Sequence, residues 1–160
     1  GNDLLLATQG SGSGRELCIG GAGSDRIALA LNDRSALDLR GGSATAADGA
    51  ADTFTLVGTR GALSFKASVL DFEVGKDRLD FSQLRDSGNN VLGMEDLVIS
   101  ASGVHTQIGF AAGVHAVGGG AVDVQLTLMG VGSVAASSFS FTAPSLGWGV
   151  GTLETAFAYL

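Results

Sequence analysis

The nine residues Gly20-Gly21-Ala22-Gly23-Ser24-Asp25-Arg26-Ile27-Ala28 decide the fold of this chain. They match the repeat G-G-x-G-x-D-x-U-x in full, where U is a large apolar residue. In this pattern six residues make a turn and three make a short strand, and glycine supplies the positive φ angles that the turn needs. Two such units complete one coil of a parallel β-roll, so the stretch predicts that fold.

Degenerate copies of the repeat lie upstream. The copy nine residues earlier keeps glycine at the second and fourth places, Glu16 at the sixth and an apolar residue, Cys18, at the eighth. Gly1-Asn2-Asp3-Leu4-Leu5-Leu6 has the form of the end of a still earlier copy. Because successive turns alternate between the two sides of a β-roll, we expect Asp3 to face the turn Gly20–Asp25.

Downstream, the repeat weakens before it returns. Asn32 falls at the fourth place and Arg34, a cation, at the sixth, where a ligand is expected. Glu16 would face this weak turn. The register returns at Asp52, three nine-residue periods after Asp25.

The acids at the sixth place predict calcium ligands. Ca²⁺ takes six to eight oxygens at about 2.3–2.6 Å, and glycine-rich turns offer backbone carbonyls to which an aspartate adds a carboxylate. The alternative is that the glycines only make a turn and that Asp25 caps it.

A second group of acids, Asp71, Asp77 and Asp80, has the spacing of a strand, a turn and a strand that bring carboxylates together. Like charges at close quarters repel unless a cation joins them. The alternative is a solvated hairpin in which Lys76 and Arg78 balance the charge. The predicted metal ligands are Asp3, Glu16, Gly21, Gly23, Asp25, Asn32, Asp48, Asp52, Asp71, Asp77 and Asp80.

The composition excludes several classes of protein. The 160 residues carry a net charge of −7, which is the wrong sign for a phosphate backbone, and only 6% are aromatic. The hydrophobic share of 45% is enough for the core of one domain. Cys18 is the single cysteine, so an internal disulfide and a multi-cysteine metal site are excluded. We expect no nucleic acid partner and no transmembrane segment.

Signatures of catalysis are absent from the sequence. It contains no G-x-S-x-G, no H-E-x-x-H and no G-x-x-x-x-G-K-[ST]. His105 falls on the polar side of an alternating strand and is interpreted as a surface histidine, and Cys18 as a small core residue. Calcium accounts for the paired carboxylates, so we expect that this chain is not an enzyme.

The repeat resembles the RTX, or hemolysin-type calcium-binding, repeats of bacterial proteins that are exported by type I secretion. Asp52-Thr53-Phe54-Thr55-Leu56 resembles the D-T-F-x-F strand that closes such arrays, and Val69–Ser82 is similar to the family's I-x-D-F-x-x-G-x-D-x-I-D-L-S. Segments that are similar to the strands of the family's C-terminal region follow in order at 97–99, 106–110, 124–131 and 138–141.

The resemblance implies an all-β fold, in which a short parallel β-roll of nonapeptide repeats is followed by a β-sandwich or β-roll-like C-terminal cap. We assign residues 1–56 to the calcium-binding repeats and 57–142 to the β-rich cap. Residues 143–160 resemble an uncleaved type I secretion signal, with an ordinary terminal strand as the alternative. We expect one continuous structural domain.

The leading hypothesis is a non-catalytic, calcium-binding C-terminal module of a larger bacterial protein. The chain starts without Met, which favours a piece of something longer. Where calcium is scarce the carboxylates repel and keep the chain loose for export, and calcium outside the cell then stabilises the folded state. The expected partners are calcium ions and, through the tail, the type I secretion machinery. The expected location is extracellular or on the cell surface.

Two alternatives remain open. The first is a calcium-dependent self-assembly module of a surface layer, adhesin or extracellular filament, because low lysine and many strands suit packed arrays. The second is the C-terminal part of a secreted hydrolase or polysaccharide-modifying enzyme whose active site lies upstream.

Overall fold

The regular secondary structure of the described residues is nearly all β-structure. The structure, a computed structural model, describes residues 1–8, 15–30, 36–57, 63–117 and 122–142. Short 3₁₀ helices lie at Met94–Asp96 and Ala136–Ser138. The strands of the described residues are β1 (Leu4–Thr8), β2 (Glu16–Ile19), β3 (Arg26–Ala30), β4 (Ala36–Arg40), β5 (Thr53–Val57), β6 (Leu63–Val69), β7 (Arg78–Asp80), β8 (Leu84–Arg85), β9 (Leu97–Ser102), β10 (His105–Phe110), β11 (His115–Ala116), β12 (Val122–Leu128) and β13 (Phe139–Ser140).

Consecutive strands from β1 to β7 alternate between two sheets. Within the part of the chain that the structure describes, sheet 1 has the order β1-β3-β5-β7-β13 and all its neighbours are parallel. Sheet 2 has the order β2-β4-β6-β12-β10-β9 and is parallel from β2 to β12. A coil that moves from sheet to sheet and back is a parallel β-roll, so the predicted fold class is confirmed.

The core lies between the two sheets. Ile27, Phe54 and Leu79 pair side by side across sheet 1, and all three are fully buried. Leu39 and Val69 form the corresponding pair in sheet 2 and are also fully buried. Because side chains alternate along a strand, every second residue faces this core. Burial of each such side chain stabilises the fold by about 1.5–3 kcal/mol.

The coils are longer and less regular than the nonapeptide pattern predicts. Asp25 follows Asp3 by 22 residues, Asp52 follows Asp25 by 27, and Asp77 follows Asp52 by 25. In each case the two aspartates are neighbours in adjacent coils. Two nine-residue units per coil would place Asp25 and Asp52 on opposite sides of the roll. The long turn between β4 and β5 adds residues to the coil and keeps them on the same side.

The roll continues through the expected boundary between residues 56 and 57. Strand β5 pairs in parallel with β7, and β4 pairs in parallel with β6, so both sheets cross this point without a break. The antiparallel strands β10 and β9 then widen sheet 2, and β8 and β11 form a separate antiparallel pair. The cap is therefore an extension of the roll.

Some of the expectations fall on residues that the structure does not describe. These are the predicted ligand Asn32, the neighbouring Arg34 and the tail at 143–160. Along the described residues, no helix has the length and apolar character that crossing a membrane requires.

Candidate cation-binding turns

Four aspartates stand in a row along one edge of the roll, and we call this row the aspartate ladder (Asp3, Asp25, Asp52 and Asp77). Each of them lies directly before a strand of sheet 1. The parallel register pairs the first residues of these strands with one another, which makes the preceding aspartates neighbours. The sequence position of each acid and the strand register together therefore build the row.

Hydrogen bonds join the members of the aspartate ladder. The backbone N–H of Asp3 donates to Oδ1 of Asp25 at 2.7 Å. The N–H of Asp25 donates to Oδ1 of Asp52 at 2.8 Å, and the N–H of Asp52 donates to Oδ1 of Asp77 at 2.9 Å. The last three aspartates are buried. The carboxylates of Asp25, Asp52 and Asp77 thus each use one oxygen to bind the backbone of the neighbouring coil.

The second oxygen of Asp25 is in an unusual position. Oδ2 of Asp25 is buried and has no hydrogen-bond partner among the described residues. The place that a Cβ would take at Gly20 lies 2.5 Å from this oxygen and 2.5 Å from the carbonyl oxygen of Gly41. Both oxygens therefore lie close to the Cα of Gly20, on the side where any other residue would carry its Cβ.

Between β6 and β7, the carboxylates of Asp71 and Asp77 have hydrogen-bond partners on both oxygens. Asp77 also accepts a hydrogen bond at Oδ2 from the N–H of Glu73, at 2.8 Å. Asp71 accepts from the N–H of Gly41 at 3.0 Å and from the N–H of Gly42 at 3.2 Å. Both acids therefore bind backbone donors, and Asp71 fastens the start of the turn in the preceding coil.

Asp48 and Glu73 form an outer layer of acceptors around the same turns. Asp48 accepts from the N–H of Gly23 at 2.7 Å and from the N–H of Ala50 at 2.9 Å. Glu73 accepts from the N–H of Gly49 at 2.8 Å. These bonds connect the turns of successive coils at the surface.

Asp80 lies within strand β7 and not in a turn. It forms an ion pair with Arg26 at 2.8 Å, with the Asp80 side chain 1% exposed. It also accepts from the hydroxyl of Thr55 at 3.3 Å and from the N–H of Ser82 at 2.9 Å. The structure thus gives Asp80 partners that tie β3, β5 and β7 together.

Burial and crowding change the acidity of the ladder. Burial, with a smaller effect from nearby carboxylates, raises the pKa of Asp77 to about 6. Burial first, and then the charges of neighbouring acids, also raise the pKa of Asp52. At the surface, backbone N–H groups lower the pKa of Asp48. At Asp52 and Asp77, burial therefore makes a negative charge less favourable than it is in water.

The predicted turn glycines have the expected backbone. Gly21 has φ +107° and Gly23 has φ +113°, both in the region that glycine adopts most readily. Glu16 lies half-buried in β2. The structure therefore places Asp3, Asp25, Asp48, Asp52, Asp71 and Asp77 along one row of turns, with Asp80 in the adjacent strand.

Three residues of these turns were not among the predicted ligands. Gly20 and Gly41 each start a turn, and their bare Cα atoms approach the carboxylates of Asp25 and Asp52. Glu73 binds the turn of the preceding coil. A signal for the two glycines exists, because the pair Gly-Gly follows a strand at 20–21 and again at 41–42.

The turn at Gly20 has oxygen atoms of the kinds that a hard cation binds. Ca²⁺ accepts both carboxylate and carbonyl oxygens, and the free Oδ2 of Asp25 with the carbonyl of Gly41 supplies one of each. No group of three or more His, Cys, Asp or Glu side chains within the described ranges is arranged to hold a metal ion. A site here would thus depend on turn carbonyls around a single carboxylate.

The fold and this row define the chain as a β-roll protein with acidic, hydrogen-bonded turns on one edge. No family model matches the chain, and no curated protein matches it. Among solved structures, it is similar to the solution structure of the AlgE6R3 subunit from the Azotobacter vinelandii mannuronan C5-epimerase. The sequence identity is 25% and the TM-score is 0.44, over 94% of this chain and 85% of that chain.

Proposed function

We propose that this chain is a non-catalytic calcium-binding module of a larger secreted bacterial protein, which is exported by a type I system and folds on calcium outside the cell. The observation that carries the proposal is the buried Oδ2 of Asp25, which has no hydrogen-bond partner within the described residues. A buried carboxylate oxygen without a partner costs free energy, and a cation is the partner that removes this cost. Export through the tail 143–160 remains an expectation from the sequence.

The chain's own residues explain why folding would depend on a cation. Formation of the roll gathers Asp25, Asp52 and Asp77 into one buried row. The pKa values of Asp52 and Asp77 are raised, first of all by burial, which supports the proposal that their ionised carboxylates disfavour this step. Bound Ca²⁺ would supply the compensating positive charge, with Asp25 and the carbonyl of Gly41 as ligands.

The unfavourable burial of these carboxylates would also help to keep the chain unfolded for export. Inside a cell, where free calcium is scarce, the uncompensated row weakens the folded state. Outside, a ligand that binds only the folded state adds RT ln(1 + [L]/Kd), about 2.7 kcal/mol per site at a hundredfold excess over Kd. Because a whole domain is stable by only about 5–15 kcal/mol, one or two sites are enough to shift the balance.

Calcium titration of metal-free protein tests the proposal. We expect far-ultraviolet circular dichroism to show a gain of β-structure with calcium and none with magnesium. Asp25→Asn keeps an oxygen that can accept the Asp3 N–H but removes the charge, so it should weaken calcium binding by about tenfold or more. Asp123→Asn is the matched control, because this exposed residue of β12 lies outside the turns.

Three results would contradict parts of this proposal. Equal calcium responses in the native chain, Asp25→Asn and Asp123→Asn would remove Asp25 as a ligand. A β-signal that neither calcium nor chelator changes would overturn the folding switch. Turnover of casein, a lipid ester or a polysaccharide by this chain alone would contradict the non-catalytic part of the proposal.

A further inference from the structure

Strand β9 forms an outer edge of sheet 2 with no charged side chain. Its sequence, Leu97–Ser102, contains no charge and no proline. Within the described residues it pairs with β10 on one side, and its central residues are exposed. Val98 and Ile99 are 55% and 40% exposed although they point to opposite faces of the sheet. Long, exposed apolar edges of this kind recruit other strands unless charge or proline blocks them.

The hydrogen-bond pattern shows which backbone groups of β9 are free to pair. The N–H of Ala111 donates to the carbonyl of Asp96, which lies opposite it in the extended β9–β10 register. In an antiparallel pair such bonded positions recur at every second residue. Val98 and Ser100 therefore direct their backbone groups to β10, and those of Ile99 and Ala101 point away from the sheet.

We propose that β9 binds β9 of a second copy of this chain in an antiparallel, two-fold arrangement centred on Ser100. In this register, Ile99 of one copy stands opposite Ala101 of the other, so the outward-pointing N–H and C=O groups of both pairs bond reciprocally. The two Ser100 side chains meet at the axis on the outer face. The contact joins the two copies of sheet 2 into one continuous sheet.

Several observations favour a second copy as the occupant. The chain carries a net charge of −7, and β9 offers an uncharged segment where two copies can approach without like charges in contact. The pattern of free groups is self-complementary, as a closed two-fold contact requires. Ile99 lies beside the fully buried Ile108 of β10, so pairing would extend the existing core over its exposed surface. The contact belongs to the folded roll, and none of its residues lies in the cation-binding turns.

Sedimentation of the full 160-residue chain across the micromolar range tests the pairing, both with calcium and with chelator. We expect the mass to rise from 16.0 kDa toward twice that value as the concentration increases. Ala101→Pro removes an outward N–H and no bond to β10, so it should raise the dissociation constant of the dimer by about tenfold or more. The dimer is expected in calcium, where the roll is folded, and dimerisation in chelator as well would show that the roll and its β9 contact form without calcium.

Charged substitutions of Ser100, at the two-fold axis, test the position of the contact without a proline substitution. Ser100→Lys places two cations face to face and Ser100→Glu two anions, so each variant alone should be monomeric. A mixture of the two variants should associate again, because opposite charges then meet. Thr45→Lys, in an exposed turn away from β9, changes the net charge as Ser100→Lys does and should leave the dimer intact.

Three outcomes would overturn the proposal. If the native chain stays at the monomer mass both with calcium and with chelator, the contact does not form. Open-ended growth to high mass would indicate head-to-tail stacking in place of a closed pair. A native dimer that both Ser100 variants retain would place the interface elsewhere on the molecule.

Discussion

The aspartates of the turns differ in one respect that decides their chemistry, which is how many of their oxygens already have a partner. Asp48, Asp71 and Asp77 accept backbone N–H groups at both oxygens. Asp25 accepts at one oxygen, and the other is buried without a partner in the described part of the chain. The residue in the full-length copy of the repeat is thus the one best prepared for a cation.

Gly20 should tolerate no side chain. A Cβ there would lie 2.5 Å from Oδ2 of Asp25 and 2.5 Å from a backbone oxygen of Gly41. We expect Gly20→Ala to lower the free energy of unfolding by about 1–3 kcal/mol, because part of the clash is with backbone that cannot rotate away. Gly132→Ala is the control, since nothing lies within 4 Å of its Cβ position and its φ is not positive. Urea unfolding of the two variants checks this, and equal stabilities would contradict it.

The pKa of Asp77 predicts a pH dependence in chelator. Burial raises this pKa from 3.8 to about 6, so the folded state holds the proton more tightly than the unfolded state does. The stability from this group is fully present below about pH 4 and is lost as the pH rises through 6. We expect a loss of about 1–2 kcal/mol over this window.

Comparison with Asp77→Asn isolates that contribution. The variant cannot ionise at this position, so its stability relative to the native chain should increase between pH 4 and pH 7. Asp86→Asn serves as the control, because hydrogen bonds lower the pKa of this exposed acid and its contribution has the opposite sign. A difference between native and Asp77→Asn that is constant with pH would exclude Asp77 as the source.

At the scale of elements, the ion pair between Arg26 and Asp80 spans three strands. Asp80 is almost fully buried, and loss of its carboxylate would leave the Arg26 charge partly desolvated. Asp80→Ala should therefore destabilise the fold by about 3–5 kcal/mol. Asp38→Ala breaks the pair with the exposed Arg15 on sheet 2 and should cost less than about 1 kcal/mol. Thermal and urea unfolding of both variants test the ranking, and comparable losses would contradict it.

The sequence predicted the individual strands better than their register. The segment 124–131, expected to contain a strand, holds most of β12, whose Val124, Leu126 and Leu128 form a buried face. The spacing from Asp25 to Asp52 suggested three repeat units, whereas the two residues are neighbours in adjacent coils. Turn length sets the register of a roll, and no local pattern revealed that the turn between β4 and β5 had grown. The hydrogen bonds of the carboxylates depend on that register, so the sequence did not predict them either.

At the scale of the molecule, the described strands from β1 to β13 lie in two sheets, except β8 and β11, which pair with each other. Strands of the expected array pair with strands of the expected cap in both sheets, so cation binding at the turns of the first coils would also stabilise the later ones. Phe81 illustrates the link, because its ring lies 5.1 Å from that of Phe110 in β10 and 6.2 Å from that of Phe139 in β13. A calcium-dependent transition should therefore involve the whole roll.

This continuity predicts that the repeats cannot fold alone. A fragment of residues 1–57 loses β7, the neighbour of β5, and β6, the neighbour of β4. Phe54 and Leu39 would then lie uncovered at open edges, because Leu79 and Val69 are their buried partners. We expect this fragment to remain unfolded by circular dichroism in both calcium and chelator.

A fragment of residues 1–142 is the matched comparison, because it retains every strand that the structure describes. It should reproduce the calcium response of the full chain in amplitude and midpoint. If 1–57 gained β-structure on calcium by itself, the repeats would be an autonomous unit. If 1–142 also failed to fold, the free energy that completes the roll would have to come from residues 143–160.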